Sequence, residues 1–309
     1  MKANMKKFGL DQETEILEFY EGNGYVVIEK LLPEELIDRL LQVYYRTLAH
    51  PLFLYYSQSV HRPIRPSFTA QGHLKESMEN ATRLLFFPKF TAAMRNCLLA
   101  DGISRVLSII SGRPKHVMRQ NMLFDFSTGT IEHQDHWYLD TDPPGEMVGV
   151  WYALEDIHPE SGCFFVLPGS HLGGVLSREE VPEHDHFRSA TLGLIEKREY
   201  QYLDMPLHKG DILLWHPFTI HGARDNSDPQ YSRKSLTAHF YPRGTRMASY
   251  SGEQSSLKST ENPHLYTAHM GTDLGLCLRY YATFLWDLLR GRDHAIQDMR
   301  RASYRKDSA

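Results

Sequence analysis

The tripeptide His133-Gln134-Asp135 is the first candidate for chemistry in this sequence of 309 residues. In an extended chain, residues two apart point to the same face, so this histidine and this aspartate can bind one metal ion. His221 follows the apolar run DILLWH and a proline, and it is the candidate for a third ligand. Two histidines and one carboxylate on one side of a metal leave adjacent positions open, as in iron(II) oxygenases. The spacing therefore predicts an iron(II) site at His133, Asp135 and His221, with open positions for a 2-oxo acid and O2.

Arg233 is the candidate for binding a cosubstrate, and it lies twelve residues after His221 in the run YSRKSLTAHF. A guanidinium group presents paired donors that match the two oxygens of a carboxylate. It could therefore bind the distal carboxylate of 2-oxoglutarate. Ser235, two positions later, would share the face of Arg233 in a strand.

Other histidines compete for the metal, because a histidine and an aspartate two residues apart often occur together by chance. The cluster His184-Asp185-His186 lies in the polar segment VPEHDHFRS, without a strand pattern on either side, and is predicted to be a surface loop. His216 and His239 lie in strand-like runs, where a histidine is usually packed or hydrogen-bonded. His216 is kept as the reserve third ligand.

The candidate ligands lie among many short strand-like runs. The segment from His116 to Phe126 is apolar and alternating, and the later runs MVGVWYAL, CFFVLPG, DILLWH and SLTAHFY are separated by Gly, Pro, Asp and Ser. Short strands without intervening helices are typical of a sandwich or a barrel.

Helical spacing of apolar residues dominates both flanks of this region. We predict a mainly helical N-terminal part over 1–112, with GYVVIEKLLP as a short strand and a helix over 86–112 that ends at Gly112. The β core is predicted over 113–245. A C-terminal addition over 246–309 is predicted to be polar at first and helical after about Gly271. The three parts are expected to form a single catalytic domain over 1–309.

The composition argues against several other classes of function. The formal net charge is −4 and acidic and basic residues are mixed, so neither nucleic acid nor an anionic membrane is an expected partner. The three cysteines are far apart and indicate neither a disulfide framework nor a thiolate metal cluster. No signal-peptide core and no apolar run of membrane-spanning length is seen. A cytoplasmic location is the resulting prediction.

Four motifs follow one another in the region from about Arg83 to Tyr241. They are EHQDHWYL, VWYALEDIHPESGCFFVLPGSH, GDILLWHPFTIHGA and SRKSLTAHF. In this order they resemble the phytanoyl-CoA dioxygenase family of iron(II)- and 2-oxoglutarate-dependent oxygenases. The resemblance implies a mainly β fold with flanking helices, built on a double-stranded β-helix of the jelly-roll, cupin-like type. It also implies iron(II), 2-oxoglutarate and O2 as cofactor and cosubstrates, with ascorbate stimulating turnover.

The resemblance implies the same metal ligands and the same arginine, and it adds further roles. Trp151 matches a tryptophan beside the cosubstrate, and Met122 matches a methionine on the strand that leads to the first two ligands. Arg83 lies near the place of a basic cosubstrate-binding residue. One position departs from the pattern, because family members often carry a serine where this chain has Ala223. Ser235 is the candidate to replace that hydroxyl.

The expected activity is oxidation, in the first place hydroxylation, of a small organic molecule, with release of succinate and CO2. The substrate pocket is expected at the mouth of the barrel, with Arg119, Trp137, Tyr138 and Arg243 as candidate wall residues. The final helix is expected either to cover the barrel or to form a homo-oligomer contact. Two other classes of function fit a similar fold: a non-catalytic cupin-like metal- or ligand-binding protein, and a metal-dependent lyase or isomerase. Arg233 favours the oxygenase.

Overall fold

The computed structural model describes residues 5–247, 256–269 and 271–300. Within these ranges the chain forms seven α-helices and seventeen β-strands. The helices are α1 (Glu13–Asn23), α2 (Glu34–Leu48), α3 (Pro88–Leu98), α4 (Asp101–Ser111), α5 (His184–Arg198), α6 (Asp273–Leu289) and α7 (Asp293–Arg300). The strands are β1 (Lys7–Phe8), β2 (Tyr25–Ile28), β3 (Tyr55–Ser57), β4 (Arg62–Ile64), β5 (Met78–Glu79), β6 (His116–Phe124), β7 (Thr128–His133), β8 (Thr141–Asp142), β9 (Val148–Ala153), β10 (Phe164–Val166), β11 (Leu203–Asp204), β12 (Ile212–Trp215), β13 (His221–Asp225), β14 (Ser235–Pro242), β15 (Arg246–Met247), β16 (Ser256–Ser259) and β17 (Leu265–His269). No helix in this part of the chain is long and apolar enough to cross a lipid bilayer.

Two sheets enclose the centre of the protein. In the large sheet, β6, β14, β9, β12 and β2 lie side by side, and each neighbouring pair is antiparallel. The small sheet has the order β11-β10-β13-β7. From β6 to β14 the chain passes repeatedly between the two sheets, which is the course of a double-stranded β-helix. The predicted fold class, mainly β with flanking helices, is confirmed.

Side chains of the large sheet alternate between two buried faces. In β9, Val150 and Tyr152 belong to the core beneath the helices, whereas Trp151 and Ala153 face the small sheet. The period of two in a strand separates these two sets. Because both faces are buried, the strands are apolar almost throughout, as in the run ILLW of β12.

The N-terminal part supplies strands as well as helices. Helices α1 to α4 cover the outer face of the large sheet and share its core. The region predicted as one helix over 86–112 forms two, α3 and α4, and the second ends at Gly112, whose φ of 65° is left-handed. Strands β1 and β2 extend one edge of the large sheet, and β3 to β5 extend the other. The β structure therefore begins well before residue 113.

The C-terminal addition also differs from its prediction. Its polar segment contains β15, β16 and β17, and β17 pairs in parallel with the first half of β6. Pairing to an existing sheet satisfies the backbone of a segment that has few apolar residues to bury. Helix α6 then buries one face and leaves Leu278 and Leu285 more than half exposed, at 55% and 54%. A homo-oligomer through this helix stays a prediction. Residues 248–255, 270 and 301–309 of the addition lie outside the described residues.

Candidate metal centre and cosubstrate cavity

The three predicted metal ligands lie together between the two sheets. His133 ends β7 and His221 begins β13, and the two are direct partners across this antiparallel pair. Their ring centroids are 4.2 Å apart, and each Nε2 lies 3.5 Å from Oδ1 of Asp135. One donor atom from each residue falls within 4.8 Å of the others. This compact set of two imidazoles and one carboxylate has the geometry to bind a single metal ion.

Both histidines are oriented by the backbone of their own segment. Nδ1 of His133 donates to the carbonyl of Ile131 at 2.8 Å, and Nδ1 of His221 donates to the carbonyl of Thr219 at 2.9 Å. A carbonyl oxygen only accepts, so the proton is on Nδ1 and the lone pair of Nε2 faces the site. Burial lowers the pKa of His221 to about 3, which keeps its imidazole neutral at physiological pH. A neutral ring with a free Nε2 lone pair is the form that binds a metal.

Gln134 explains why the ligands on either side of it share one face. Its buried side-chain amide donates to the carbonyls of Gly174 and Phe218 at 2.9 and 2.7 Å. Its oxygen accepts from the backbone N–H of Leu176 at 2.9 Å. These three bonds tie the end of β7 to two other segments and fix the alternation, so the flanking histidine and aspartate turn toward the site.

Asp135 is held by the large sheet. Its Oδ2 accepts from Nε1 of Trp215 at 2.8 Å and lies 3.3 Å from Nε2 of His239. Gly149 leaves room for the indole, because a Cβ there would lie 2.1 Å from the Trp215 ring. Burial alone would raise the pKa of Asp135, but His221 and His239 hold this pKa well below its ordinary value. The carboxylate is therefore ionised, and its Oδ1 is left for a metal.

Arg233 faces the same cavity as the metal ligands, a space of about 340 Å³ between the sheets. The residue is 4% exposed, Nη1 donates to the carbonyl of Gly162 at 3.0 Å, and Nε is buried without a partner. Within the described residues no carboxylate pairs with it. Burial lowers the pKa of Arg233 to about 10, so the side chain stays charged at neutral pH. A buried cation with an unused donor favours an anionic ligand.

The donor set and the arginine fit the groups that the sequence implies. Imidazole and carboxylate ligands suit iron(II), and the unused donor of Arg233 suits the distal carboxylate of 2-oxoglutarate. Trp151, Met122 and Phe164 line the same cavity. The contacts of Trp151 and Met122 with the cosubstrate stay predictions, which their place in the cavity wall favours.

Ser235 is not among the residues that line this cavity. It is fully buried at the start of β14, and its hydroxyl donates to the carbonyl of Arg233 at 3.4 Å. Thr237, two residues further along the same face, lines the cavity together with Ala223. The period of two predicted the face, but the depth of each residue along the cavity depends on how the sheets stack. Thr237 is therefore the better candidate to supply the hydroxyl that is missing at 223.

Arg83 lies outside the metal cavity. Its Nε donates to Oδ1 of Asp273 at 2.9 Å, at the start of α6. It lines a second, neighbouring cavity instead. The predicted role in cosubstrate binding is not supported by this position, because a carboxylate from the C-terminal helix already pairs with the guanidinium group.

The four predicted wall residues are found in different environments. Tyr138 lines both cavities, and Arg119 lines the second one. Trp137 is 4% exposed and its ring stacks on that of Phe187 from α5 at 4.7 Å, so it belongs to the packing beneath that helix. Arg243 is exposed and lines neither cavity, since its guanidinium stacks on a surface tyrosine. Two of the four wall predictions therefore fit the observed cavities.

The competing histidines lie away from the metal ligands. His216 lies beside His171 in a separate cavity, and burial lowers its pKa to about 4. His184 begins α5, and its Nε2 lies 2.9 Å from the hydroxyl of Tyr138. Its exposure confirms the predicted surface location. The predicted loop was wrong, and Asp185 in the first turn of α5 is a favourable helix-start residue.

Local patterns in the sequence do not single out Trp215 or Thr237, and they place His239 among ordinary core histidines. Each has a residue type that buried strands commonly contain, so composition gives no signal. The usable signal is the even spacing from Arg233. Thr237 and His239 of β14 lie four and six residues after this arginine, and residues an even number apart in an extended segment share a face.

Comparison with known proteins relates the chain to one family. The model of the family "Phytanoyl-CoA dioxygenase (PhyH)" matches residues 20–235. The peroxisomal phytanoyl-CoA dioxygenase of Homo sapiens is 28% identical over 247 residues, which cover 76% of this chain and 70% of that protein. A probable phytanoyl-CoA dioxygenase of Caenorhabditis elegans is 25% identical over 232 residues, which cover 72% of this chain and 73% of that protein.

Solved structures share the fold. The epimerase SnoN, in complex with Fe3+, alpha ketoglutarate and nogalamycin RO, matches with a TM-score of 0.60 at 19% identity, over 83% of this chain and 98% of that chain. The non-heme alpha ketoglutarate dependent carbocyclase SnoK matches with a TM-score of 0.57 at 20% identity, over 78% of this chain and 88% of that chain. The family match covers more than half of the sequence and includes all three metal ligands. The chain therefore belongs to the phytanoyl-CoA dioxygenase family of iron(II)- and 2-oxoglutarate-dependent oxygenases.

Proposed function

We propose that the protein is a dioxygenase that hydroxylates a small organic molecule. In the overall reaction, the substrate, 2-oxoglutarate and O2 give the hydroxylated product, succinate and CO2. One observation carries the proposal: the metal-binding atoms and the buried guanidinium of Arg233 face one cavity of about 340 Å³. That volume is within the range of small-molecule sites.

His133, Asp135 and His221 are the proposed iron ligands. When bound, iron(II) and 2-oxoglutarate supply the oxidising chemistry. The protein contributes position and charge: each imidazole is fixed with its Nε2 lone pair toward the site, and the carboxylate is kept ionised with Oδ1 free. The bond from Trp215 to Oδ2 prevents Asp135 from rotating away from this position.

Arg233 is the proposed partner of the distal carboxylate of 2-oxoglutarate. Its side chain is held between the carbonyl of Gly162 and the ring of Phe124 at 5.4 Å, so little ordering is needed when the anion binds. Thr237 is proposed to add a hydroxyl donor. Apolar side chains, including that of Trp151, surround this region and keep water away from the bound carboxylate, which strengthens the pairing.

The position of Arg233 favours this function over its two alternatives. A non-catalytic binding protein or a Lewis-acid lyase needs the metal ligands but has no requirement for an unpaired buried cation in the same cavity. Family membership also supports the oxygenase. Structures with this fold include an epimerase and a carbocyclase, so the product decides between hydroxylation and other oxidations.

The test is succinate formation from 2-oxoglutarate under air, with iron(II) and ascorbate, during a screen of a metabolite pool. We expect a pool component to stimulate succinate release and to gain one oxygen atom from O2, detected by mass spectrometry with labelled oxygen. His221→Ala should abolish both signals, and His216→Ala, which removes a buried histidine outside the cavity, should retain them. Stimulated succinate release with a product that gains no oxygen would refute hydroxylation, and no cosubstrate turnover with any pool would refute the oxygenase.

A further inference from the structure

A second cavity lies next to the metal cavity, and we call it the outer cavity. It has a volume of about 770 Å³ and lies between β6, the N-terminal strands β4 and β5, and helix α6. Gln120, Tyr138 and Leu139 line both cavities, so the two spaces are contiguous. A molecule in the outer cavity could therefore extend one end toward the metal ligands.

The outer cavity has an excess of positive charge. Four arginines line it, whereas Glu79 is the one carboxylate among its described lining residues. Arg62 and Arg83 form ion pairs with Asp298 and Asp273, at 3.1 and 2.9 Å. Arg119 lies on β6 and Arg279 lies on α6, and Arg279 is the one that has no carboxylate partner among the described residues.

Arg119 reaches the cavity because of a β-bulge in β6. His239 of β14 pairs with Gln120, but the next residue, Phe240, pairs with Met118, so Arg119 is an extra residue on its strand. Regular alternation would place consecutive residues on opposite faces. The bulge instead lets both Arg119 and Gln120 line the outer cavity. Bulges commonly re-aim side chains beside active sites.

Arg279 reaches the same cavity from helix α6. Its side chain is exposed, and within the described residues it has no ion-pair partner. Tyr280, the next residue of α6, stacks on Tyr56 of β3 with ring centroids 5.7 Å apart, and both tyrosines line the outer cavity. The outer cavity thus combines flat aromatic surface with guanidinium groups, which suits a ring that carries an anionic substituent.

We propose that the outer cavity binds the substrate, and that the substrate is a ring-containing anion whose carboxylate, sulfonate or phosphate group pairs with Arg279, with Arg119 as a second cation of the same cavity. The anionic end would lie away from the metal, and the carbon to be oxidised would lie past Tyr138 and Leu139. This inference rests on the proposed function, because it assigns the substrate of the same metal site. Arg119 and Arg279 are specificity residues in this arrangement.

The test compares two probes that differ in charge, naphthalene-2-sulfonate and the neutral naphthalene-2-sulfonamide. Each is titrated calorimetrically, without O2, into protein loaded with iron(II) and saturating 2-oxoglutarate, which occupies Arg233. We expect the wild-type protein to prefer the sulfonate by about tenfold or more. Arg279→Gln should remove most of this preference and leave the affinity for the sulfonamide unchanged. Arg119→Gln, which removes the second cation of the cavity, should reduce the preference in the same direction.

Arg290→Gln is the matched control, since Arg290 is an exposed arginine at the end of the same helix and stacks on Trp286 outside the cavity. It should keep the preference. Equal affinity of the two probes for the wild-type protein, or a preference retained in both Arg119→Gln and Arg279→Gln, would overturn the proposal. The visible iron-to-2-oxoglutarate absorption band is recorded in every sample. Its absence from the wild-type protein would count against the proposed function, and its presence without charge preference would count against this inference alone.

Discussion

Replacement of Arg233 by methionine should have opposite effects on stability and on cosubstrate binding. Arg233 is a buried cation whose described partners are a backbone carbonyl and an aromatic ring, and its Nε is unpaired. In the protein without 2-oxoglutarate, no bound anion offsets the desolvation of the guanidinium group. Methionine has a similar length and no charge, so Arg233→Met should stabilise the ligand-free protein and weaken its binding of 2-oxoglutarate.

The size of the two effects follows from the position of Arg233. Burial lowers its pKa from 12.5 to about 10, which corresponds to about 3 kcal/mol against the charged form. Imperfect packing of methionine should offset part of that gain, so we expect a net stabilisation of roughly 1–2 kcal/mol and a rise in Tm of about 1.5–3 °C. Loss of a charged two-point contact should weaken 2-oxoglutarate by about 3 kcal/mol, or roughly a hundredfold.

Lys234 provides a matched control in the next position of the chain. It is also a buried cation, but its Nζ lies 3.3 Å from Asp125 and 3.1 Å from Glu155. Lys234→Met leaves two carboxylates without their partner, and it should destabilise the protein by about 3 kcal/mol. The two adjacent substitutions should therefore shift Tm in opposite directions, because among the described residues carboxylates pair with Lys234 and none pairs with Arg233.

The assay combines thermal unfolding of the metal-free protein with anaerobic titration of 2-oxoglutarate into the iron(II) form, followed by the visible absorption band. Iron content per folded protein should be unchanged in Arg233→Met. A lower Tm in this variant would refute the idea that Arg233 is kept for a ligand. Unchanged affinity for 2-oxoglutarate would remove Arg233 from the cosubstrate site.

Four other outcomes are expected. His221→Ala should lose iron, measured as metal per folded protein, whereas His216→Ala should retain it; the reverse result would reassign the third ligand. Trp215→Phe should weaken iron binding roughly 10–100-fold with the fold intact, because Oδ2 of the aspartate ligand loses its indole donor; an unchanged iron affinity would contradict this role. The metal-free protein should lose stability as pH falls from 6.5 toward 4, because burial lowers the pKa of His116 to about 4 and the unfolded chain takes up the proton first. His116→Gln should reduce the slope of the unfolding free energy against pH by up to about 1.4 kcal/mol per pH unit in that range. An identical slope in this variant would exclude His116 as a source of the pH dependence. If α6 forms a homo-oligomer contact, Leu278→Glu should give a monomer by light scattering where the wild type is larger, and a wild-type monomer at all concentrations would end that prediction.

The metal ligands were predictable because their signal is local. Residues 133 and 135 are two apart in a strand, and this spacing alone places them on one face. His221 required the assumption that a later strand returns to the same end of the barrel, and the antiparallel register makes it the direct partner of His133. The order of the four motifs supports that assumption, since two of these motifs contain the three ligands.

The expectations that the structure does not support concern residues whose role depends on distant segments. The expected cosubstrate contact of Arg83 is replaced by a pairing with Asp273, which lies 190 residues later in a helix of the C-terminal addition. No local pattern shows such a pair. Ser235 has the correct parity, but Thr237 is the residue of β14 that lines the cavity. Arg119 lines the outer cavity because of a bulge that has no signature in its own sequence.

The two sheets hold the metal ligands in different ways, and this difference separates what sequence specifies from what folding specifies. His133 and His221 are each fixed by a carbonyl two residues before them, so their orientation is a property of their own segments. Asp135 instead takes its orientation from Trp215 and His239, which belong to the facing sheet. The two histidines can therefore take their positions once the small sheet has formed, whereas the carboxylate is in place only when the sheets pack at the correct spacing. The affinity for the metal should therefore depend on the packing of the two sheets even when all three ligands are present. The ligand motif alone does not determine that affinity.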